Sequence, residues 1–314
     1  MSGLQVLQQG VLSLLQDRGR YGWQHIGLSN GGPVDGPAMQ LANRLLGNDP
    51  AATCIEVSIG GLALEARLDT CIAYTGGDAP LHLNGRAVAQ WRGHTLRAGD
   101  HLTFGYARHF CRSYLAVAGG FQVEPQFGST ATVVREGIGG ADGKPLARGD
   151  LLPCTASPGH PLLQLAAGDI PQYQDTVTLR VIPGYQLRHF PRRQRRRLFA
   201  SEYTVTERCD RMGYRLRGPA IGCDIDGILS EGIGHGAVQI PADGQPIVLM
   251  NDRQTIGGYP KIGSVLSLDT TRLGQLSRGG RVRFEPISAV AASDALRLQY
   301  QQLKRLEMQP VREA

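Results

Sequence analysis

Short apolar runs separated by turn residues dominate the chain between about residues 53 and 154. CIEVSI (54–59), LALEA (62–66), CIAYTG (71–76) and RSYLAVAGG (112–120) are rich in strand-forming residues, and Gly, Asn or Asp lies between such runs. Strands at a spacing of about eight to twelve residues are typical of an antiparallel barrel or sandwich. The pattern predicts a β-rich N-terminal lobe over residues 1–165.

A second strand-rich section begins at VTLRVIPG (177–184), after a linker interrupted by prolines. It continues through AVQIP, PIVLM, SVLSLD and RVRFEPI, the last of which ends at residue 287. These runs predict a second lobe over residues 166–287. The predicted fold class is therefore mainly β with a few helices, arranged in two lobes.

Two segments have apolar residues at helical spacing. In VDGPAMQLANRLLGN (34–48), Asp35 is a candidate N-cap and Gly47 a candidate C-terminal stop. The second segment is the C-terminal helix and tail over 288–314, where the helix has an apolar stripe at Val290, Leu296, Tyr300 and Leu303.

Positive charge is concentrated in one place. The 314-residue chain has a net charge of +6, and five of its arginines lie in RRQRRR (192–197), within a predicted short helix that starts near Pro191 and is anchored by Phe190 and Phe199. Because the basicity is local and no aromatics interleave the arginines, we expect a solvated face or a dock for an acidic partner, and no nucleic-acid surface.

Cysteine spacing and hydropathy exclude several classes of protein. The six cysteines form no C-x-x-C pair and have no histidine at ligand spacing, so there is no metal-ligand motif. No run of about 18 apolar residues and no basic leader occur, so we expect a cytoplasmic protein without a membrane anchor.

Glycine-rich loops raise the question of phosphate binding. GIGGADGKP (137–145) has Ile138 where a P-loop needs its first glycine and Pro145 where it needs Ser or Thr. EGIGHGAVQIP (231–241) has dinucleotide-type glycine spacing, but a strand-like run follows it instead of a helix. Neither a G-x-S-x-G nor an H-E-x-x-H motif is present.

Polar residues crowd three glycine-containing segments, at residues 16–48, 207–218 and 230–263. Glycine allows the backbone to approach a ligand closely, so such segments suit recognition of a small polar or carboxylate substrate. For the individual Asp and Arg residues the alternative is structural, with aspartates capping turns and arginines pairing with them. For the third segment as a whole, the number of side chains able to form directional bonds favours a binding wall.

These segments resemble a known family. QDRGRYG, GPVDGPAMQLANRLLGN, IEVSIGG, CDRMGYRLRG, SEGIGHGAVQIPADGQPIVLMNDRQTIGGYPKIG and a strand–turn–strand from Asp269 to Phe284 resemble the biotin-dependent carboxyltransferase family, also called allophanate hydrolase subunit 2-like. Its bacterial stand-alone members are subunits of ATP-hydrolysing 5-oxoprolinase. The resemblance implies two lobes of cyclophilin-like β-barrel type.

The resemblance also implies an activity and partners. It implies ATP-dependent opening of the lactam 5-oxo-L-proline to L-glutamate, by a complex that contains a homologous B subunit, together with a lactam-utilisation-like A subunit. ATP would be bound by the complex, and the chain has no Met-Lys-Met for attached biotin. The alternatives are a carboxyltransferase component of a urea carboxylase-type system, and a regulatory binding protein that antagonises a kinase inhibitor.

In this scheme Lys261 acts as a point charge for a carboxylate or phosphate, and Tyr259 donates to a developing oxyanion. Their alternatives are an exposed lysine and a packing aromatic. The candidate catalytic residues are Tyr259, Lys261 and Asp252. The candidate substrate-binding residues are Arg211, Gln239, Gln245, Gln254, Thr255, Gly257, Gly258, Asp17, Arg20 and Asp35.

Overall fold

The computed structural model describes residues 2–311, which form two compact units. The first contains residues 2–21, 31–173 and 305–311. The second contains residues 22–30 and 174–304. No helix within residues 2–311 is long and apolar enough to cross a membrane.

The first unit is built from short strands and one α-helix, α1 (Gly36–Arg44). The strands are β1 (Gly3–Gln9), β2 (Leu12–Gln16), β3 (Cys54–Ser58), β4 (Leu62–Ala66), β5 (Thr70–Gly76), β6 (Leu81–Leu83), β7 (Arg86–Val88), β8 (Arg92–Leu96), β9 (His101–Phe104), β10 (Arg112–Val117), β11 (Leu151–Pro153) and β12 (Leu163–Leu165). The last strand of the chain, numbered β22 (Met308–Pro310), returns to this unit and pairs with β12.

Two sheets enclose the core of the first unit. One has the order β11-β1-β4-β9-β6-β7 and the other β2-β3-β10-β5-β8-β12-β22. Inward side chains of both, such as Leu64 and Phe104 from one sheet and Ile72 and Leu115 from the other, belong to one buried cluster. The sequence spacing leaves a barrel or a sandwich open for this lobe, and the structure has a two-sheet arrangement.

The second unit is a closed seven-stranded barrel with added helices. Its elements are β13 (Thr176–Pro183), α2 (Arg192–Ala200), β14 (Glu202–Cys209), β15 (Gly213–Arg217), β16 (Glu231–Gly232), β17 (Ala237–Gln239), β18 (Ile247–Leu249), β19 (Ile256–Gly257), β20 (Lys261–Val265), α3 (Ser267–Gln275), β21 (Arg281–Pro286) and α4 (Ala289–Arg305). The barrel runs β13-β20-β17-β18-β15-β14-β21 and closes through the parallel pair β13–β21. The mainly β fold class is thus confirmed.

Two predicted helices are confirmed. Asp35 caps α1 by accepting a hydrogen bond from the Ala38 backbone N–H at 3.0 Å, and the inward face of α1 is fully buried. The arginine-rich helix α2 follows Pro191 as expected. Phe190 is buried beneath it, but the second fully buried anchor is Leu198, whereas Phe199 is only half-buried.

One other prediction about an element is wrong. The predicted strand SVLSLD ends at Val265, and residues from Ser267 form α3, so Asp269–Phe284 is a helix, turn and strand. The reason is tertiary: buried Asp269 accepts two hydrogen bonds from the Arg180 guanidinium, at 2.7 and 2.8 Å, which holds this segment against β13. A third predicted helix, the C-terminal one, is confirmed as α4, and its apolar positions are largely exposed, with Val290 at 73% and Tyr300 at 56%.

The second compact unit is assembled from two separate stretches of the chain. The chain passes to the second unit after Tyr173, and residues 22–30 also belong to that unit. Within residues 22–30, Ser29 donates a hydrogen bond to the Arg253 carbonyl at 2.7 Å, and Asn30 accepts one from the Arg253 guanidinium at 3.0 Å. Such long-range contacts leave no local signal in hydropathy.

Candidate functional site

A small two-stranded ribbon beside the barrel presents the third polar segment. β16 pairs with β19, which places Glu231 opposite Gly257. β20 begins at Lys261, four residues after Gly257, and pairs with β17 through Gln239. The third polar segment therefore folds back on itself. As a result Glu231 and Lys261, which are 30 positions apart in sequence, are in contact.

The carboxylate of Glu231 is the centre of this cluster. It accepts hydrogen bonds from the Lys261 ammonium, the Tyr185 hydroxyl and Gln186 Nε2, the last at 2.8 Å. The Lys261 hydrogen bond, followed by that of Tyr185, holds the pKa of Glu231 below its usual value. The same contact with Glu231 raises the pKa of Tyr185. The Glu231 side chain is 31% exposed, so the cluster is open to solvent.

Gln186 fixes the geometry of the ion pair. It is buried, and its Oε1 accepts a hydrogen bond from the Lys261 backbone N–H at 2.7 Å while its Nε2 donates to Glu231. One side chain therefore contacts both partners of the ion pair. The amide aligns Lys261 and Glu231 without adding charge.

Gln239 adds a buried donor beside this cluster. The residue is only 1% exposed, and its Nε2 has no hydrogen-bond partner within residues 2–311. A Cβ placed on Gly257 would lie 3.1 Å from that nitrogen and 2.3 Å from Ile233 Cδ1, so the glycine lets both side chains pack closely against the backbone. A buried amide donor without a partner is costly unless a ligand uses it.

Together these groups form an array that suits a small polar molecule with a carboxylate. Lys261 supplies a cation and Gln239 a neutral donor, while Tyr185 and Gln186 hold the Glu231 carboxylate in place. Glu231 supplies an acceptor for an N–H group. No group of three or more His, Cys, Asp or Glu residues able to hold a metal ion occurs in the described part of the chain.

Asp252 and Arg211 come together in a second cluster, as an ion pair. Arg211 Nε and Nη2 each donate to a different oxygen of Asp252 at 2.8 Å, and both side chains are buried. The Asp252 backbone N–H also donates to the Arg211 carbonyl at 2.8 Å. The pair joins the two sequence segments CDRMGYRLRG and NDRQT.

His235 lies near this cluster and is held neutral. Burial lowers its pKa to about 4, and the nearby Arg253 guanidinium acts in the same direction. A hydrogen bond with the Asn251 side chain opposes the shift. Arg253 itself donates to the Ile233 carbonyl at 3.1 Å and to the Met250 carbonyl at 3.3 Å.

The other candidates of the third segment have different surroundings. Gln245 lies in the loop between β17 and β18. Its side-chain amide accepts a hydrogen bond from the Gly218 backbone N–H at 2.9 Å and donates one to the Gly218 carbonyl at 3.1 Å. The Gly258 and Thr255 carbonyls accept backbone hydrogen bonds at 2.9 Å. Tyr259 is 46% exposed, and Gln254 is half-buried.

Asp17, Arg20 and Asp35 belong to the first unit, where they bind backbone. Asp17 accepts from Thr130 N–H at 2.9 Å, and Arg20 Nη2 donates to the Ala131 carbonyl at 2.9 Å. Asp35 caps α1 and also accepts from the Tyr173 hydroxyl at 2.7 Å. The contacts of the two aspartates are of the capping kind that the structural alternative describes, and the part of all three residues in substrate binding stays a prediction.

Sequence reasoning missed Glu231, Tyr185, Gln186 and His235. Tyr185 and Gln186 follow a strand in an ordinary-looking PGYQLRH stretch, within a short 3₁₀ helix. Glu231 and His235 lie in the third polar segment, but no feature of the sequence distinguishes either from its neighbours. The burial of Lys261, which calls for an acidic partner, is visible only in the structure.

Comparison with known proteins adds independent information. A family model described as "Carboxyltransferase domain, subdomain A and B" matches residues 26–286. The C subunit of Escherichia coli 5-oxoprolinase is 37% identical over 306 residues, covering 96% of this chain and 97% of that protein. The C subunit of the Haemophilus influenzae enzyme is 35% identical over 292 residues, covering 92% of this chain and 93% of that protein.

Solved structures show the same fold inside a larger enzyme. The crystal structure of Kluyveromyces lactis urea amidolyase is similar with a TM-score of 0.90 and 25% sequence identity. The similarity covers all of this chain and 20% of that one.

Proposed function

Because the chain belongs to the family of carboxyltransferase domains with subdomains A and B, we propose that it is one of the subunits of a cytoplasmic, ATP-dependent 5-oxoprolinase. The observation that carries this proposal is the 37% identity to the C subunit of a 5-oxoprolinase over nearly the full length of both proteins. The complex would convert 5-oxo-L-proline, ATP and water to L-glutamate, ADP and phosphate. The remaining parts would come from a homologous B subunit, together with a lactam-utilisation-like A subunit, and this chain alone would be inactive.

The Glu231 cluster fits the functional groups of that lactam. 5-Oxoproline has a carboxylate, an amide carbonyl and an amide N–H. In the proposed mode, Lys261 and Gln239 donate to the substrate oxygens, and the Glu231 carboxylate accepts the lactam N–H. Glu231 is suited to this as an ionised carboxylate, and the hydrogen bonds from Lys261 and Tyr185 hold its pKa below the usual value.

Ring opening requires a proton to reach the lactam nitrogen as its bond to the carbonyl carbon breaks. The opening of an unstrained amide is coupled to ATP, which the complex would bind. Tyr259, exposed beside Gly258, would face the substrate or a neighbouring protein of the complex. This chain's own contribution would be to orient the lactam and hold its carboxylate.

The test is turnover by the co-expressed and purified complex of three subunits, followed as glutamate and ADP formation. We expect no turnover when this chain is omitted, and a fall in kcat/KM of about 100-fold or more for Lys261→Ala, which removes a charge from a partly desolvated site. The matched control is Lys144→Ala, because Lys144 also pairs with a carboxylate, Asp142 at 3.0 Å, but on the exposed surface. Full turnover without this chain, or with both Tyr259→Ala and Lys261→Ala, would show the proposal to be wrong.

A second candidate is a carboxyltransferase component that receives a carboxyl group from carboxybiotin on another protein. The similarity of the entire chain to part of a urea amidolyase favours it. It requires activity that depends on bicarbonate and on a biotinylated partner. Lactam hydrolysis that is unaffected by removing bicarbonate and by adding avidin would exclude this candidate.

A further inference from the structure

Helix α2 presents a face of four arginines. Arg192 and Arg196 are one turn apart, and so are Arg193 and Arg197, so the four side chains form two adjacent rows on one side of the helix. All four are exposed, whereas the opposite side buries Leu198. We call Arg192, Arg193, Arg196 and Arg197 the arginine face.

The arginine face has no acidic partner within residues 2–311. None of its members forms an ion pair there, and the polar contact recorded for the face is Arg197 Nη1 donating to the Ala220 carbonyl at 3.2 Å. The fifth arginine, Arg195, instead donates to the Phe190 carbonyl at 2.5 Å and supports the helix. The positive charges of the arginine face are therefore not neutralised by acidic side chains within residues 2–311.

Helix electrostatics make the arginines of the first turn unfavourable for folding, whereas Arg197 in the last turn suits the helix dipole. Like charges one turn apart repel each other, and cations in the first turn oppose the helix dipole. The first turn of α2 contains no acidic residue, and Pro191 provides no side-chain cap. A bound polyanion would relieve both effects.

The unit that carries the face holds all of the chain's excess positive charge. Residues 22–30 and 174–304 contain 19 Lys and Arg against 12 Asp and Glu, a net charge of +7, compared with +6 for the whole chain. Carboxylates approaching this unit are attracted over a distance of about 10 Å at moderate salt.

We propose that the arginine face docks an acidic segment of a partner polypeptide, with carboxylates about one helical turn apart. Guanidinium groups bind carboxylates in bidentate fashion, and two rows one turn apart match Glu or Asp at positions i and i+4 of a partner helix. Single-stranded nucleic acid would need exposed aromatics for base stacking, but Phe190 is buried and Phe199 half-buried. This inference does not depend on the 5-oxoprolinase assignment.

The test uses the full chain and a fluorescent oligo-glutamate peptide, with binding followed by anisotropy at low salt. Arg192→Glu combined with Arg196→Glu should weaken binding about tenfold or more. The matched control is Arg297→Glu combined with Lys304→Glu, which makes the same charge change on exposed positions of α4 and should weaken binding clearly less than the change on α2.

Three results would overturn the inference. One is a charge-reversed α2 that binds the peptide as tightly as the original chain, and another is a control that loses as much affinity. The third is a single- or double-stranded oligonucleotide of equal charge that binds more tightly than the peptide. If reversal unfolds the chain, Arg192→Gln with Arg196→Gln is used instead, and an unchanged affinity there would also overturn it.

Discussion

At the scale of single residues, the Arg211–Asp252 pair brings two opposite charges together in a buried site. Both side chains are nearly solvent-free, and two hydrogen bonds of 2.8 Å join them. Removal of one partner leaves an uncompensated charge in a medium that solvates it poorly. The sequence predicts both residues as part of the catalytic and binding set, and their geometry gives them a structural role as well.

We expect Arg211→Ala to lower the free energy of unfolding by about 3–5 kcal/mol. Replacement of both residues, as Arg211→Met with Asp252→Leu, should cost clearly less than the single change, since no buried charge remains. Urea denaturation of the original chain and these variants measures both effects. A single variant as stable as the original chain would contradict the structural role.

His235 predicts a pH dependence of stability. Its pKa falls from 6.5 to about 4 on folding, because burial and Arg253 disfavour the charged imidazole. The unfolded chain therefore takes up a proton as the pH falls through about 6.5, which the folded chain does not do until about pH 4. Stability must decrease over that interval.

Between pH 7 and pH 5 this residue should remove about 2 kcal/mol of unfolding free energy. In His235→Gln, which has no group to protonate there, the loss over the same interval should be smaller by that amount. Denaturant titrations at the two pH values give the difference. Equal losses in both proteins would mean that His235 is not held neutral.

At the scale of elements, the barrel depends on close approach of strands at Gly263. This residue of β20 pairs with Pro183 of β13 on one side and with Val238 of β17 on the other. A Cβ at this position would lie 2.4 Å from the Ile182 carbonyl oxygen and 2.6 Å from Val181 Cγ1. Backbone and a β-branched side chain have little freedom to move away.

Gly263→Ala should therefore destabilise the protein by about 3 kcal/mol, at the upper end of the range for overpacking. Gly234→Ala is the matched control, because no atom lies within 4 Å of its added methyl group and its φ is not positive. We expect the control to stay within about 0.5 kcal/mol of the original chain. Thermal and denaturant unfolding measure the stability of the two variants. Equal stabilities would show that the barrel accommodates a side chain at position 263.

The elements that the sequence predicts well are those whose signal is local. The cap of α1 at Asp35, its buried stripe and the start of α2 at Pro191 all depend on residues within a few positions of one another. The alternation in SVLSLD predicts a strand where α3 forms because that alternation is local, whereas the contact that decides it, Arg180 with Asp269, spans 89 positions. The exposure of α4 likewise depends on which surface the rest of the chain leaves beside it.

The candidate site follows the same rule. Lys261 and Gln239 are identifiable because they lie in a visibly polar, glycine-rich segment, and strand pairing brings them together. Glu231 is 30 positions from Lys261, and Tyr185 is 46 positions from Glu231, so neither contact has a periodic signature. The contacts of Glu231 form only when the strands pair, so they can be identified only once the register of β16, β19 and β20 is known.

At the scale of the whole molecule, charge is divided unevenly between the two units. The second unit carries a net +7 and also contains the Glu231 cluster and the arginine face. In the proposed complex, the arginine face would serve assembly and the Glu231 cluster would serve substrate binding. The two roles can be separated, because changes at α2 should alter association with partners, whereas changes at Lys261 should alter turnover by the assembled complex.

An exchange of the two charges at the Glu231 cluster provides the sharpest test of that separation. Glu231→Lys and Lys261→Glu each place two like charges in contact, and we expect each to lower both the melting temperature of the chain and the turnover of the complex. The combined exchange restores an ion pair, so the melting temperature should recover by most of what the single variants lose. Turnover should stay at least about 100-fold below that of the original complex, because Gln186 and Gln239 would then flank a carboxylate where the substrate needs the Lys261 cation. Recovery of kcat/KM along with stability would mean that the ion pair only holds the β16–β19 ribbon in place, and that the lactam binds elsewhere.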